Sequence, residues 1–143
     1  MAKSRTKGHA FERQVAEEMR SLGYDKARRG LQYQDGTWCP DIVGVPWWVE
    51  CKRYAARIPW QRAHNQARED ARAAGQKLMP ILVVGRVDRD DPYIYMTLED
   101  YFIAILNERN RLWGGMERIK GRLESVEAIS AVEDSQALIG PLG

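Results

Sequence analysis

The residues best placed to do chemistry lie in Pro40-Asp41-Ile42-Val43-Gly44-Val45-Pro46-Trp47-Trp48-Val49-Glu50-Cys51-Lys52. Side chains alternate along a strand, so Glu50 and Lys52 share one face and Cys51 takes the other. A turn centred on Val45-Pro46 sets Asp41 opposite Glu50, and opposed residues lie on the same face of a sheet. Two carboxylates ~4 Å apart repel by about 4 kcal/mol at an effective dielectric of about 20. A divalent cation between them reverses that sign. The donors are hard oxygens without a His or Cys cluster, which points to Mg²⁺, or Mn²⁺ in its place, rather than zinc. Asp41, Glu50 and the Cys51 carbonyl are the expected ligands, leaving positions for water and a phosphate oxygen. A metal so held lowers the pKa of bound water and polarises a phosphodiester. Lys52 would hold the attacking water or stabilise charge in the transition state. Taking the proton itself would require a depressed pKa.

The plainer account is an edge hairpin with charges on a solvated face. Against it, the tandem Trp47-Trp48 with Ile42, Val43 and Val49 makes the hairpin interior, and the charges fall on one face in register. Other chemistries find less support. His9 and His64 are too few and too scattered for zinc or a catalytic triad, and both read as structural. Cys39 and Cys51 have opposite parity around the acidic pair, so no disulfide is expected. Asp88, Asp90 and Asp91 lack the spacing of a calcium loop.

The elements that must carry this hairpin follow from periodicity. Residues 1–6 are polar and basic and read as a loose arm. From Lys7 to Leu22, Phe11, Val15, Met19 and Leu22 recur at helical spacing, with Gly23 as the stop. A short strand is expected over Tyr24–Arg29, a loop over Gly30–Cys39, then strands over Asp41–Val45 and Trp47–Arg53. Pro59 opens a second helix that runs to Ala74 before Gly75, with Ala63, Ala67, Ala71 and Ala74 as a small-residue face. Ile81–Val84 reads as a buried strand and Tyr93–Met96 as another. Thr97 and Asp100 resemble a capping box for a last helix bearing Leu98, Phe102, Ile105 and Leu106. Gly114-Gly115 reads as a break, after which one helix, two short ones or partial disorder are all open. The order is helix, three strands, helix, two strands, helix, an α/β arrangement with a mixed sheet. The expected division is a domain over 1–112 and an extension over 113–143.

The 143 residues carry a formal net charge of +2, which hides an asymmetry. Residues 1–86 hold 16 Lys and Arg against 9 Asp and Glu, while residues 87–143 hold 6 against 11. A basic first part suits a polyanionic partner. Lys7, Arg28, Arg29, Arg53, Arg57 and Arg62 are the expected DNA contacts, with Lys3, Arg5, Lys26, Arg68 and Arg72 nearby in sequence; phosphate neutralisation of this kind gives affinity without base readout. Trp38 and Trp60 flank the motif and could stack on bases, although packing is the commoner fate of a Trp. No apolar run is long enough to span a membrane and no leader-like segment follows the N-terminus, so a cytoplasmic setting, a virus-infected host cell included, is expected.

The motif residues resemble those of the PD-(D/E)xK nuclease superfamily, marked by Pro-Asp and then Glu-x-Lys on neighbouring strands. The order of parts is similar to that of archaeal-type Holliday junction resolvases and their viral relatives. Lys7-Gly8-His9-Ala10-Phe11-Glu12-Arg13 matches their opening Lys-Gly-x-x-x-Glu-Arg helix, and Arg28 or Arg29 matches their Arg-bearing strand. Gln66 matches the Gln of their next helix, and Pro80-Ile81-Leu82-Val83-Val84 their buried strand. The resemblance covers residues 7–86. It implies a restriction-endonuclease-like mixed β-sheet core flanked by helices. It implies also that Glu12 joins the metal site through water and that Gln66 supports it. From periodicity, Glu12 lies one position beyond the Phe11/Val15 stripe, at its border. A Ser common in the resolvase loop is missing from residues 30–37, with Thr37 a weak substitute, which leaves junction selectivity less supported than cleavage.

The expected function is therefore a metal-dependent, structure-selective endonuclease that resolves four-way DNA junctions as a two-fold homodimer. A restriction- or repair-type nuclease on duplex DNA is the first alternative. A DNA-binding module without catalysis is the second.

Overall fold

The chain is described here from a computed structural model, which covers residues 2–31 and 38–138; at residues 2–5 and at Leu138 only the backbone is described. The elements run α1 (Ala2–Ser21), β1 (Arg28–Arg29), β2 (Ile42–Val43), β3 (Trp48–Tyr54), α2 (Trp60–Ala73), β4 (Ile81–Val87), β5 (Tyr93–Tyr95) and α3 (Leu98–Leu138). The expected order of helices and strands is the one found. The chain divides into two compact units, Met1–Ala104 and Ile105–Gly143.

In the first unit a five-stranded mixed sheet has the order β1-β2-β3-β4-β5. Only β3 and β4 are parallel, with Glu50 beside Val83 and Lys52 beside Gly85. A parallel pair needs a crossover, and α2 supplies it. Its Ala63, Ala67 and Ala71 are buried, and Ala67 and Ala71 meet Trp48 and Ile81 on one face of the sheet. On the other face the α1 stripe of Phe11, Val15, Ala16 and Met19 packs with Ile42, Val49, Leu82 and Val84. Alternation along β3 explains the split: Val49 and Cys51 go to α1, Trp48 to α2.

Several expectations need correction. The loose arm is helical, because α1 reaches back to Ala2 through residues that are mostly good helix formers. Leu22 is 77% exposed, since α1 ends at Ser21 and Gly23, at φ +98°, turns the chain away from the stripe. The strand expected over Tyr24–Arg29 shrinks to Arg28–Arg29, because the Ala27 N–H bonds back to the Tyr24 carbonyl at 2.8 Å in a turn. The strand expected over Asp41–Val45 shrinks to Ile42–Val43, with a bend over residues 44–47. The expected loop lies outside the described residues at positions 32–37, Thr37 included.

At the start of α3 the Asp100 N–H donates to the Thr97 hydroxyl at 3.2 Å, and that hydroxyl donates to the Asp100 carboxylate at 2.7 Å. The capping pair forms, with Asp in place of Glu. Gly114 and Gly115 do not break the helix, which continues to Leu138. Each glycine costs about 1 kcal/mol relative to Ala in a helix interior.

In the second unit, α3 continues with Leu112, Trp113, Met116, Ile119, Leu123 and Val126 exposed. Arg111 pairs with Glu108 one turn back and holds its carboxyl below the usual range.

Candidate active site

The motif hairpin forms in the expected register, Ile42 opposite Val49. Asp41 lies just before β2 and differs in detail from a simple ladder position. Its N–H donates to the Val49 carbonyl at 2.9 Å, and its carboxylate accepts the Cys51 N–H at 2.7 Å. Asp41 thus brackets Glu50 between two bonds to that residue's neighbours. Its carbonyl accepts the Gly30 N–H at 2.7 Å, which ties β1 to the same point. A Cβ at position 30 would lie 2.0 Å from the Pro40 carbonyl oxygen, so only glycine permits this approach.

Glu50 and Lys52 share a face as expected, and the Lys52 ammonium donates to the Glu50 carboxylate. Glu12 is buried on α1, where the Arg29 guanidinium bonds its carboxylate. The border of the α1 stripe therefore faces inward at Glu12. Arg29, expected at the DNA surface, is half-buried against this acid; the pairing spans the α1–β1 connection and has no local signature in sequence.

The electrostatics of the group are unbalanced. Burial first, and then the charge of Glu50, push the Asp41 carboxyl up to about 7; the Cys51 N–H bond opposes this and Glu12 adds to it. Burial pulls the Lys52 ammonium down, but Glu50, which bonds it, and Asp41 outweigh burial and hold its pKa above the ordinary value. As placed, these neighbours favour the protonated form of Lys52. Burial, then Asp41, Glu12 and Glu50, raise the Cys51 thiol well above its usual range, which makes it inert as a nucleophile.

Among the described residues no three His, Cys, Asp or Glu side chains form a ready metal cage. Glu12 is turned to Arg29 and Glu50 to Lys52. The donors still suit a hard divalent cation. Two carboxylates crowd one another at a buried point, and Mg²⁺ retains several waters and needs few protein ligands.

The remaining expected residues are more dispersed. Gln66 is exposed and donates to Asp70 one turn on, at 3.0 Å, and no described hydrogen bond joins it to the acids. Lys7, Arg28, Arg57 and Arg62 are exposed and Arg53 is half-buried. Trp38 is 55% exposed, whereas Trp60 stacks on Tyr95 with ring centres 6.2 Å apart and lies against Gly85.

Residues 3–130 match the family described as "Phage putative PDDEXK endonuclease". The chain belongs to that family. It is a nuclease of the PD-(D/E)xK superfamily, whose members generally use divalent metals, and its α/β sheet is of the restriction-endonuclease type. The match runs well past residue 86, where the resemblance in sequence stopped, and takes α3 into the family as far as residue 130. No curated protein and no solved structure matches the chain significantly.

A second buried constellation in this nuclease escaped the sequence. Asp100 accepts from His64 at 2.6 Å, from Arg68 at 3.2 Å and from the Ile81 N–H at 3.2 Å, joining α2, β4 and the start of α3. Burial opposes these bonds, but together they hold its carboxyl below the usual range. His64 is structural, as expected. The capping pair and the alanine face each had a signal; their meeting did not.

Proposed function

We propose that this nuclease cuts DNA at Asp41, Glu50 and Lys52 by Mg²⁺-dependent phosphodiester hydrolysis, with four-way junctions as its substrate. The carrying observation is the Asp41 carboxyl, buried beside Glu50 and Glu12 and pushed up to about 7. An acid pair so placed disfavours its own ionisation until a cation neutralises it. Asp41 and Glu50 would hold the metal with the Cys51 carbonyl, and Glu12 would contribute through water. Mg²⁺ held there would activate a water and polarise the phosphate. Lys52 keeps its proton and meets the charge that develops on the phosphate oxygens. Lys7, Arg28, Arg53, Arg57 and Arg62 meet phosphates, and Arg29 reaches DNA only from its place beside Glu12. Gln66 supports the site after its amide leaves Asp70.

Junction selectivity is supported by the order of parts: a Glu-bearing first helix, an Arg strand, the hairpin, and the Gln helix. Two symmetric cuts call for a two-fold homodimer, the commonest symmetry among oligomers. The setting is the cytoplasm of a phage-infected cell; no helix among the described residues is long and apolar enough to cross a membrane. The test offers the purified protein a four-way junction and a sequence-matched duplex with Mg²⁺. Preferential nicking of the junction, lost in Asp41→Asn, supports the reading. Equal or preferential cutting of the duplex assigns the site to a restriction- or repair-type nuclease. DNA binding with no cutting assigns it to a module without chemistry.

A further inference from the structure

In the second unit, Ile105, Leu112, Met116, Ile119, Leu123 and Val126 are 44–63% exposed along α3. With Arg109 they follow alternating steps of three and four. Ile105, Leu112, Ile119 and Val126 take the d positions of a heptad, and Arg109, Met116 and Leu123 the a positions. Such a seam, repeating about every 3.5 residues, is that of a supercoiled helix pair. Gly114, Gly115 and Gly121 fall at f and g, so they weaken the helix without interrupting the seam. A helix with three glycines and an uncovered apolar stripe is poorly stable alone in water, because most helical stability comes from packing that stripe. The family match continues past Val126, the last seam position.

We infer that a second copy of this chain covers the seam, in a parallel two-stranded coiled coil over Ile105–Val126. Self-pairing is favoured by charge. Arg122, at g, meets Glu127 of the second copy at e, and the contact occurs twice by symmetry. Arg109 decides both direction and number. In a parallel pair the two Arg109 side chains share one layer, each beside Glu108 of the second copy. An antiparallel pair would set each Arg109 against an apolar d residue. Ile105, Ile119 and Val126 at d with Leu123 at a would suit more than two strands. Four guanidinium groups in one closed layer would be costly, whereas in a two-stranded coil an Arg can run its stem along the seam and keep its head in water. In the first unit the exposed Leu98 and Phe102 extend the same stripe at d and a along the start of α3, whereas Leu22, Leu78 and Ile94 lie on separate elements, after α1, before β4 and on β5.

This inference supplies the interface of the proposed homodimer but is tested without DNA. Sedimentation of the full chain at micromolar concentration should give twice the 16.4 kDa chain mass. Leu112→Glu with Ile119→Glu should give a monomer, and Ser125→Glu, off the seam, should remain dimeric. Arg122→Glu leaves the apolar seam intact and should weaken association about fivefold, as expected for two exposed ion pairs. Adding Glu127→Arg should restore it. A monomeric wild type, a tetramer, or no rescue by the double reversal overturns the inference. A dimer without nuclease activity would sink the function proposed above and leave this one standing; an active monomer would sink this inference and the homodimer with it, and leave only the nuclease chemistry.

Discussion

Asp41 and Asp100 are both buried, at 6% and 4% exposure, and the chain treats them in opposite ways. Asp100 gathers a hydroxyl, an imidazole, a guanidinium and a backbone N–H, and its carboxyl falls below the ordinary range. Asp41 accepts the Cys51 N–H but faces two further acids, and its carboxyl rises to about 7. Equal burial therefore does not predict equal chemistry. The α2–β4–α3 junction is saturated with donors and holds the fold together. The hairpin instead sets Asp41 beside Glu50 and Glu12, which with burial hold its carboxyl high. Perturbed acids of the second kind mark functional sites more often than those of the first.

The largest test of this contrast is catalytic. Asp41→Asn should reduce Mg²⁺-dependent DNA cleavage by about 10³-fold or more, as loss of a metal ligand and its activated water would. Asp100→Asn should leave turnover per folded molecule near wild type. Equal losses in both variants would erase the distinction.

Stability should rank them the other way. Asp100→Asn breaks a buried, hydrogen-bonded ion group and should cost about 3 kcal/mol in urea unfolding. Asp41→Asn should stabilise the metal-free protein at pH 8, by about 2 kcal/mol, because it removes an ionised form that the fold disfavours. The pH dependence separates them further. Asp41's folded pKa, about 7, lies above an unfolded value of about 3.9. Its contribution is fully present below about pH 4 and is lost as pH rises through about 7. Asp100 is depressed, so its contribution is present above the unfolded value and is lost as pH falls through its folded pKa. The gain from Asp41→Asn should therefore vanish near pH 4, and shrink at pH 8 when Mg²⁺ is added, since a ligand of the native state stabilises it. A gain independent of both pH and Mg²⁺ would show that charge is not its origin. The smallest effect belongs to Gln66→Ala, with cleavage lowered tenfold or less, because its amide is spent on Asp70 rather than the acids.

The hairpin was legible because its geometry is local. Alternation and one turn suffice to bring Asp41, Glu50 and Lys52 together, and the Ile42–Val49 register follows from the same turn. The α1 stripe was legible up to Met19, until a left-handed glycine swung Leu22 outward. Interactions far apart in sequence were not legible. Arg29 carried a DNA-contact signal and turned instead to Glu12, and His64, Arg68 and Asp100 meet only once α2 and α3 are docked. Gly114 and Gly115 misled for the converse reason: local propensity argued for a break that the longer helical pattern overrode.

Gly30 carries no functional group, yet its backbone fixes the distance between β1 and the Pro-Asp step. A random search for inactive variants should therefore score this position as severely as an acid of the motif, by dislodging Asp41 rather than by removing a reactive atom. Loss of activity on substitution is thus a poor guide to which residues touch the phosphate.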